Sequence, residues 1–76
     1  MDKDDLAKLH FIADSMKHTF WGSDPKEQGQ IDMIRAKMSP YLYTTPPQEL
    51  FDELIPVARE LLKSSEFDDF WQPYRL

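Results

Sequence analysis

Four residues, Asp24-Pro25-Lys26-Glu27, constrain this chain more than any other stretch of it. Aspartate at N-cap accepts from the first free amides, proline at N1 needs no partner for the N–H it lacks, and glutamate at N3 completes a capping box. The pattern predicts a helix from Pro25 to about Met38 that buries Ile31, Ile34 and Met38. Ser39-Pro40 is expected to end it, because the residue before a proline avoids helical dihedrals. Gly29 inside the run costs about 1 kcal/mol relative to alanine, so the helix must lean on packing.

The flanking segments read the same way. Leu6, Leu9, Ala13, Met16 and Phe20 recur at spacings of three and four, predicting a helix from about Asp4 to Phe20 that Gly22 closes. Asp2, Asp4 and Asp5 stand at its start, where the helix dipole favours carboxylates. Downstream, Thr45 is expected to cap a helix of about Pro46 to Lys63, with Gln48 at N3. Its apolar arc is wide. Leu50, Leu54, Val57 and Leu61 fall together, with Phe51, Ile55, Ala58 and Leu62 beside them. That arc makes this helix the expected centre of the core. Pro56 lies on the polar side with Asp52, Arg59, Glu60 and Lys63, where a bend can face water. Ser65-Glu66-Phe67-Asp68 can open a short fourth helix reaching Trp71, which Pro73 ends.

No internal repeat and no alternating run supports a sheet, so the expected fold is all-α, a small bundle of three to four helices. At 76 residues the chain has apolar material for one domain, spanning 1–76. The expected core is Leu6, Leu9, Ala13, Met16, Ile31, Ile34, Leu50, Leu54, Val57 and Leu61. Absence of cysteine excludes disulfides, thiol nucleophiles and thiolate metal sites. No apolar run approaches the ~20 residues that cross a bilayer, so no membrane is expected among its partners. The acidic opening Met1-Asp2-Lys3-Asp4-Asp5 differs from the basic start of a signal peptide, which sets the expectation of a cytoplasmic protein.

Catalytic signatures are missing where chemistry would need them. Ser23, Ser39, Ser64 and Ser65 sit at helix starts and turns, where a hydroxyl caps backbone amides. Two glycines cannot build a phosphate-cradling loop. His10, Asp14 and His18 are spaced four apart, yet His10 flanks the apolar stripe while His18 points nearly opposite it, so the three spiral apart and are expected as solvated surface residues. No metal, no cofactor and no enzymatic activity are expected.

Surface composition says more. The chain carries 14 acidic against nine basic residues, a net charge of −5. From Gln48 to Leu76 seven acidic residues face three basic ones. Nucleic acid is therefore not an expected partner, since phosphate binding needs clustered Lys and Arg. Phe67, Phe70, Trp71 and Tyr74 form an i, i+3, i+4, i+7 set interleaved with Glu66, Asp68 and Asp69. Such a segment can close a small bundle as core, or lay its aromatics in a partner's groove. Phe11 and Met33 lie off the apolar stripes of their helices and are expected on the surface as a second patch.

Phe11-Ile12-Ala13, then Gly22-Ser23-Asp24-Pro25-Lys26-Glu27-Gln28, then Ile31-Asp32-Met33 resembles the start of the helical C-terminal domain of glutathione transferases. Pro46-Pro47-Gln48-Glu49 before the next long helix is similar to some members. The resemblance implies that Asp32 matches a helix aspartate which, in several classes, reaches glutathione bound by the partner subunit. The thioredoxin-like half that binds glutathione and activates its thiol is absent from these 76 residues. An isolated helical module of that family is thus the alternative expectation.

The leading expectation is a small acidic, non-enzymatic protein–protein interaction module: an adaptor, inhibitor or regulatory subunit. Its docking residues would be Phe67, Phe70, Trp71, Tyr74, Asp68 and Asp69, with Phe11 and Met33 as the second candidate patch. The implied partner is another protein presenting an apolar groove with a basic rim. The sequence leaves self-association through either patch open.

Overall fold

Asp2 starts the first helix of the computed structural model, its Oδ1 accepting from the amides of Asp4 at 2.8 Å and Asp5 at 3.2 Å. The structure describes residues 2–16, 24–42, 44–63 and 68–74. Helix α1 runs Lys3–Asp14, α2 runs Pro25–Met38, α3 runs Gln48–Leu61 and the short α4 runs Asp68–Trp71. Single 3₁₀ turns follow α2 at Ser39–Tyr41 and α4 at Gln72–Tyr74. No strand occurs among the described residues, and the fold is an all-α bundle.

α1 stops at Asp14, earlier than the apolar spacing predicts. Ser15 and Met16 both donate their amides to the Phe11 carbonyl, at 2.9 and 3.0 Å. This widened last turn rotates Met16 into the core, where it is buried. The Arg35 guanidinium of α2 donates to the Met16 carbonyl and so occupies an acceptor that the helix end leaves free. The expected extension to Phe20 and the closure at Gly22 lie outside the described residues.

α2 has the bounds its capping signal predicts. Asp24 Oδ1 accepts from the Lys26 amide at 2.9 Å, and Ile31, Ile34 and Met38 are buried. The ending differs from expectation. Ser39 keeps helical dihedrals, φ −49° and ψ −43°, and the chain tightens into the 3₁₀ turn with Pro40 inside it. Pro40 stands at the start of this turn, where a backbone N–H would have no intrahelical partner, so its missing donor costs nothing there.

α3 starts two residues later than predicted. Its N-cap is Pro47, extended at φ −57° and ψ 149°, with no side-chain cap, so Thr45 does not cap it. Gln48 at N1 instead donates to Asp52 across one turn at 2.8 Å. The helix is also turned towards the second half of its apolar arc. Phe51, Leu54, Ile55, Ala58 and Leu62 are buried, while Leu50, Val57 and Leu61 pack partly exposed against them. Pro56 faces solvent, as its position among polar residues predicts.

The centre of the molecule is α1 rather than α3. Five consecutive residues, Leu9 to Ala13, are buried, and α2, α3 and the C-terminal turn each pack against this helix. A helix covered on several sides shows no single apolar stripe, which is why its periodicity understates its burial. The largest fully enclosed side chains among the described residues are Leu9, Ile12, Ile31, Ile34, Met38 and Leu54. Each contributes roughly 1.5–3 kcal/mol of transfer free energy when fully buried.

Candidate interaction surface

The C-terminal aromatic segment divides between core and surface. Trp71 is 4% exposed, and the Lys8 ammonium of α1 stands 4.9 Å from its ring centroid. A cation over an indole face is attracted to the ring quadrupole while the lysine stem covers apolar surface. Tyr74 packs edge-on against Phe11, with ring centroids 5.8 Å apart and planes inclined at 64°. Its hydroxyl donates to Asp14 Oδ2 at 3.2 Å and also meets the Ser15 hydroxyl. Trp71 and Tyr74 thus fasten the short helix and its following turn onto α1.

Phe70 faces the other way and is 45% exposed. Asp69, Gln72 and Pro73 are exposed beside it in sequence. Phe67 and the Asp68 side chain lie outside the described residues. The four-aromatic set predicted from spacing therefore does not act as one face. A helix of four residues presents Trp71 and Phe70 in directions about 100° apart, so burying one exposes its neighbour.

The second predicted patch is corrected. Phe11 is 3% exposed and belongs to the core, because the C-terminal turn covers the side of α1 opposite the apolar stripe. Met33 is partly buried and packs against the core. Asp32, singled out by the glutathione-transferase resemblance, is exposed on α2.

The histidine expectation is likewise changed in part. His10 is buried, with Asp14 exposed one turn on, while His18 lies outside the described residues. No three His, Asp or Glu side chains among the described residues are grouped to hold a metal ion. Burial lowers the His10 pKa, against opposing contributions from the Leu42 carbonyl and the Asp14 carboxylate. Among surface groups, Lys63 donates to Glu60 at 2.8 Å, which holds the carboxyl pKa down and the ammonium pKa up. No helix among the described residues is long and apolar enough to cross a membrane.

Sequence reasoning missed the polar contacts that fix α1 in place. Lys8, Asp14 and Arg35 draw their roles from residues 19 to 63 positions away in the chain, beyond any local pattern. Asp5 carried a readable signal. It stands four residues before Leu9 on the buried side, a position where a carboxylate needs a partner.

No family model, curated protein or solved structure matches the chain.

Proposed function

We propose that this chain is a non-enzymatic protein–protein interaction module that docks through its acidic C-terminal segment, with Phe70 as the inserted anchor. The observation that supports this reading is the division of labour in α4. Trp71 and Tyr74 fix the segment to α1, so Phe70 is held out on a pre-ordered backbone. Pre-ordering lowers the entropy lost on docking, and an aromatic ring offers a large apolar area to a pocket. Asp69 beside it and the other six acidic residues from Gln48 onward steer the approach of a basic surface. The matching partner is a protein with an apolar pocket rimmed by Lys or Arg, for which this chain acts as adaptor, inhibitor or regulatory subunit.

The test is co-purification from the native host with wild-type chain and with Phe70→Ala, followed by calorimetry of the identified partner. Binding by wild type that is weakened at least about tenfold by Phe70→Ala, with helicity unchanged, supports the reading; hot-spot truncations commonly cost that much. Association slowed by added salt supports the steering role of the carboxylates. A partner that binds folded Phe70→Ala as tightly as wild type rejects Phe70 as the anchor. Dimerisation of the chain abolished by the same substitution would assign the patch to self-association instead.

A further inference from the structure

Residues 68–74, the short helix α4 and its 3₁₀ turn, lie on one face of α1. Lys8, Phe11 and Ser15, spaced three and four apart, form that face, with Asp14 at its edge. Lys8 stands over the Trp71 ring, Phe11 packs edge-on with Tyr74, and the Tyr74 hydroxyl meets Asp14 and Ser15. Among the described residues, the contacts of this segment with the three long helices are concentrated on α1. Trp71 and Phe11 are the buried apolar groups on its two sides.

Such a segment can leave without dismantling the bundle. The largest fully enclosed side chains, from Leu9 to Leu54, belong to α1, α2 and α3, so those helices keep their shared core. A four-residue helix cannot hold its own shape in water, and Trp71 loses its cover on leaving. Re-docking is therefore favoured for the released segment and for the bared face of α1 alike. A second copy carries the same face and the same segment, and so meets both needs. In sequence, four residues, 64–67, join the segment to Lys63, and short connections favour exchange between copies.

We propose that this chain forms an exchanged dimer, in which residues 68–74 of each copy dock on Lys8, Phe11, Asp14 and Ser15 of the other. Two identical contacts are related by a twofold axis, which closes the assembly at two copies. Closed monomer and exchanged dimer make the same contacts. The dimer therefore forms where protein concentration approaches the effective concentration of the tethered segment, on the order of mM. Each copy carries a net charge of −5, so the copies repel and added salt raises the dimer fraction. That sign is opposite to the one expected for docking on a basic partner.

Sedimentation of the full chain from about 0.05 to about 2 mM should show dimer rising with concentration, and rising again with salt. Isotope-filtered NMR on an equal mixture of labelled and unlabelled full chain then locates the interface, because the filter rejects contacts within one copy. A Phe11–Tyr74 ring contact between copies supports the exchange. A chain that stays monomeric to about 2 mM at low and high salt overturns it. So does a dimer without that contact between copies, or a dimer lost on Phe70→Ala, which would place the interface on the exposed side of α4.

Discussion

Arg59 grips Asp5 at two points, Nε donating to Oδ1 at 3.2 Å and Nη2 donating to Oδ2, across 54 positions of sequence. The two ends differ in environment: the aspartate side chain is 8% exposed, the arginine side chain 59%. The contact raises the Arg59 pKa, with the Asp5 hydrogen bond as the main cause. It ties the start of α1 to the last turn of α3.

The asymmetry predicts unequal consequences of breaking the pair. Arg59→Ala strands a buried carboxylate, whereas Asp5→Asn leaves an arginine that water can solvate. Urea denaturation should therefore rank Arg59→Ala as the less stable variant, with Asp5→Asn/Arg59→Ala recovering part of the loss. Equal midpoints for the two single variants would contradict the burial argument.

Leu54 and Leu50 lie on one apolar arc yet should respond differently to truncation. Leu54 is fully buried, so Leu54→Ala is expected to cost about 2–5 kcal/mol. Leu50 is partly exposed, and Leu50→Ala should cost distinctly less. Chemical-denaturation midpoints of the two variants check which half of the arc faces the core.

Adjacent aromatics in α4 should separate stability from docking. Trp71→Ala is expected to cost about 3–5 kcal/mol, as a buried aromatic does. Phe70→Ala should change stability by no more than about 1 kcal/mol, given its exposure. Thermal melting followed by circular dichroism measures both. A large loss from Phe70→Ala would move that ring into the core and remove the proposed anchor.

Two local substitutions test the capping account. Asp24→Ala should cost about 0.5–2 kcal/mol, since a bonded N-cap is lost. Thr45→Ala should change stability by less than about 0.5 kcal/mol, because Pro47 is the N-cap of α3. Gly29→Ala should stabilise by up to about 1 kcal/mol, as an added Cβ there meets nothing within 4 Å. Denaturant titration of the three variants side by side distinguishes these signs.

The sign of the pH dependence follows from His10. Its pKa is lowered in the folded state by burial, so the unfolded chain binds the extra proton first. Its contribution is fully present above about pH 6.5 and is lost as pH falls towards the folded-state value. Wild type should thus lose melting temperature between pH 7 and pH 5 more steeply than His10→Gln.

Local chemistry made a good part of the fold legible. Asp24-Pro25 sets the start of α2, because a side-chain cap and a proline act on residues within one turn of themselves. The same local physics gives the all-α class, the buried face of α2 and the solvent-facing Pro56. Tertiary structure decided what local pattern could not reach. Phe11 enters the core because Tyr74, far along the chain, covers it. Which of Phe70 and Trp71 faces outward depends on the surface of α1 beneath them, with Lys8 placed over the indole. Periodicity reports which residues share a face of one helix, but burial depends on how many neighbours that helix has. For α1, enclosed on several sides, that number is set only when the whole chain has packed.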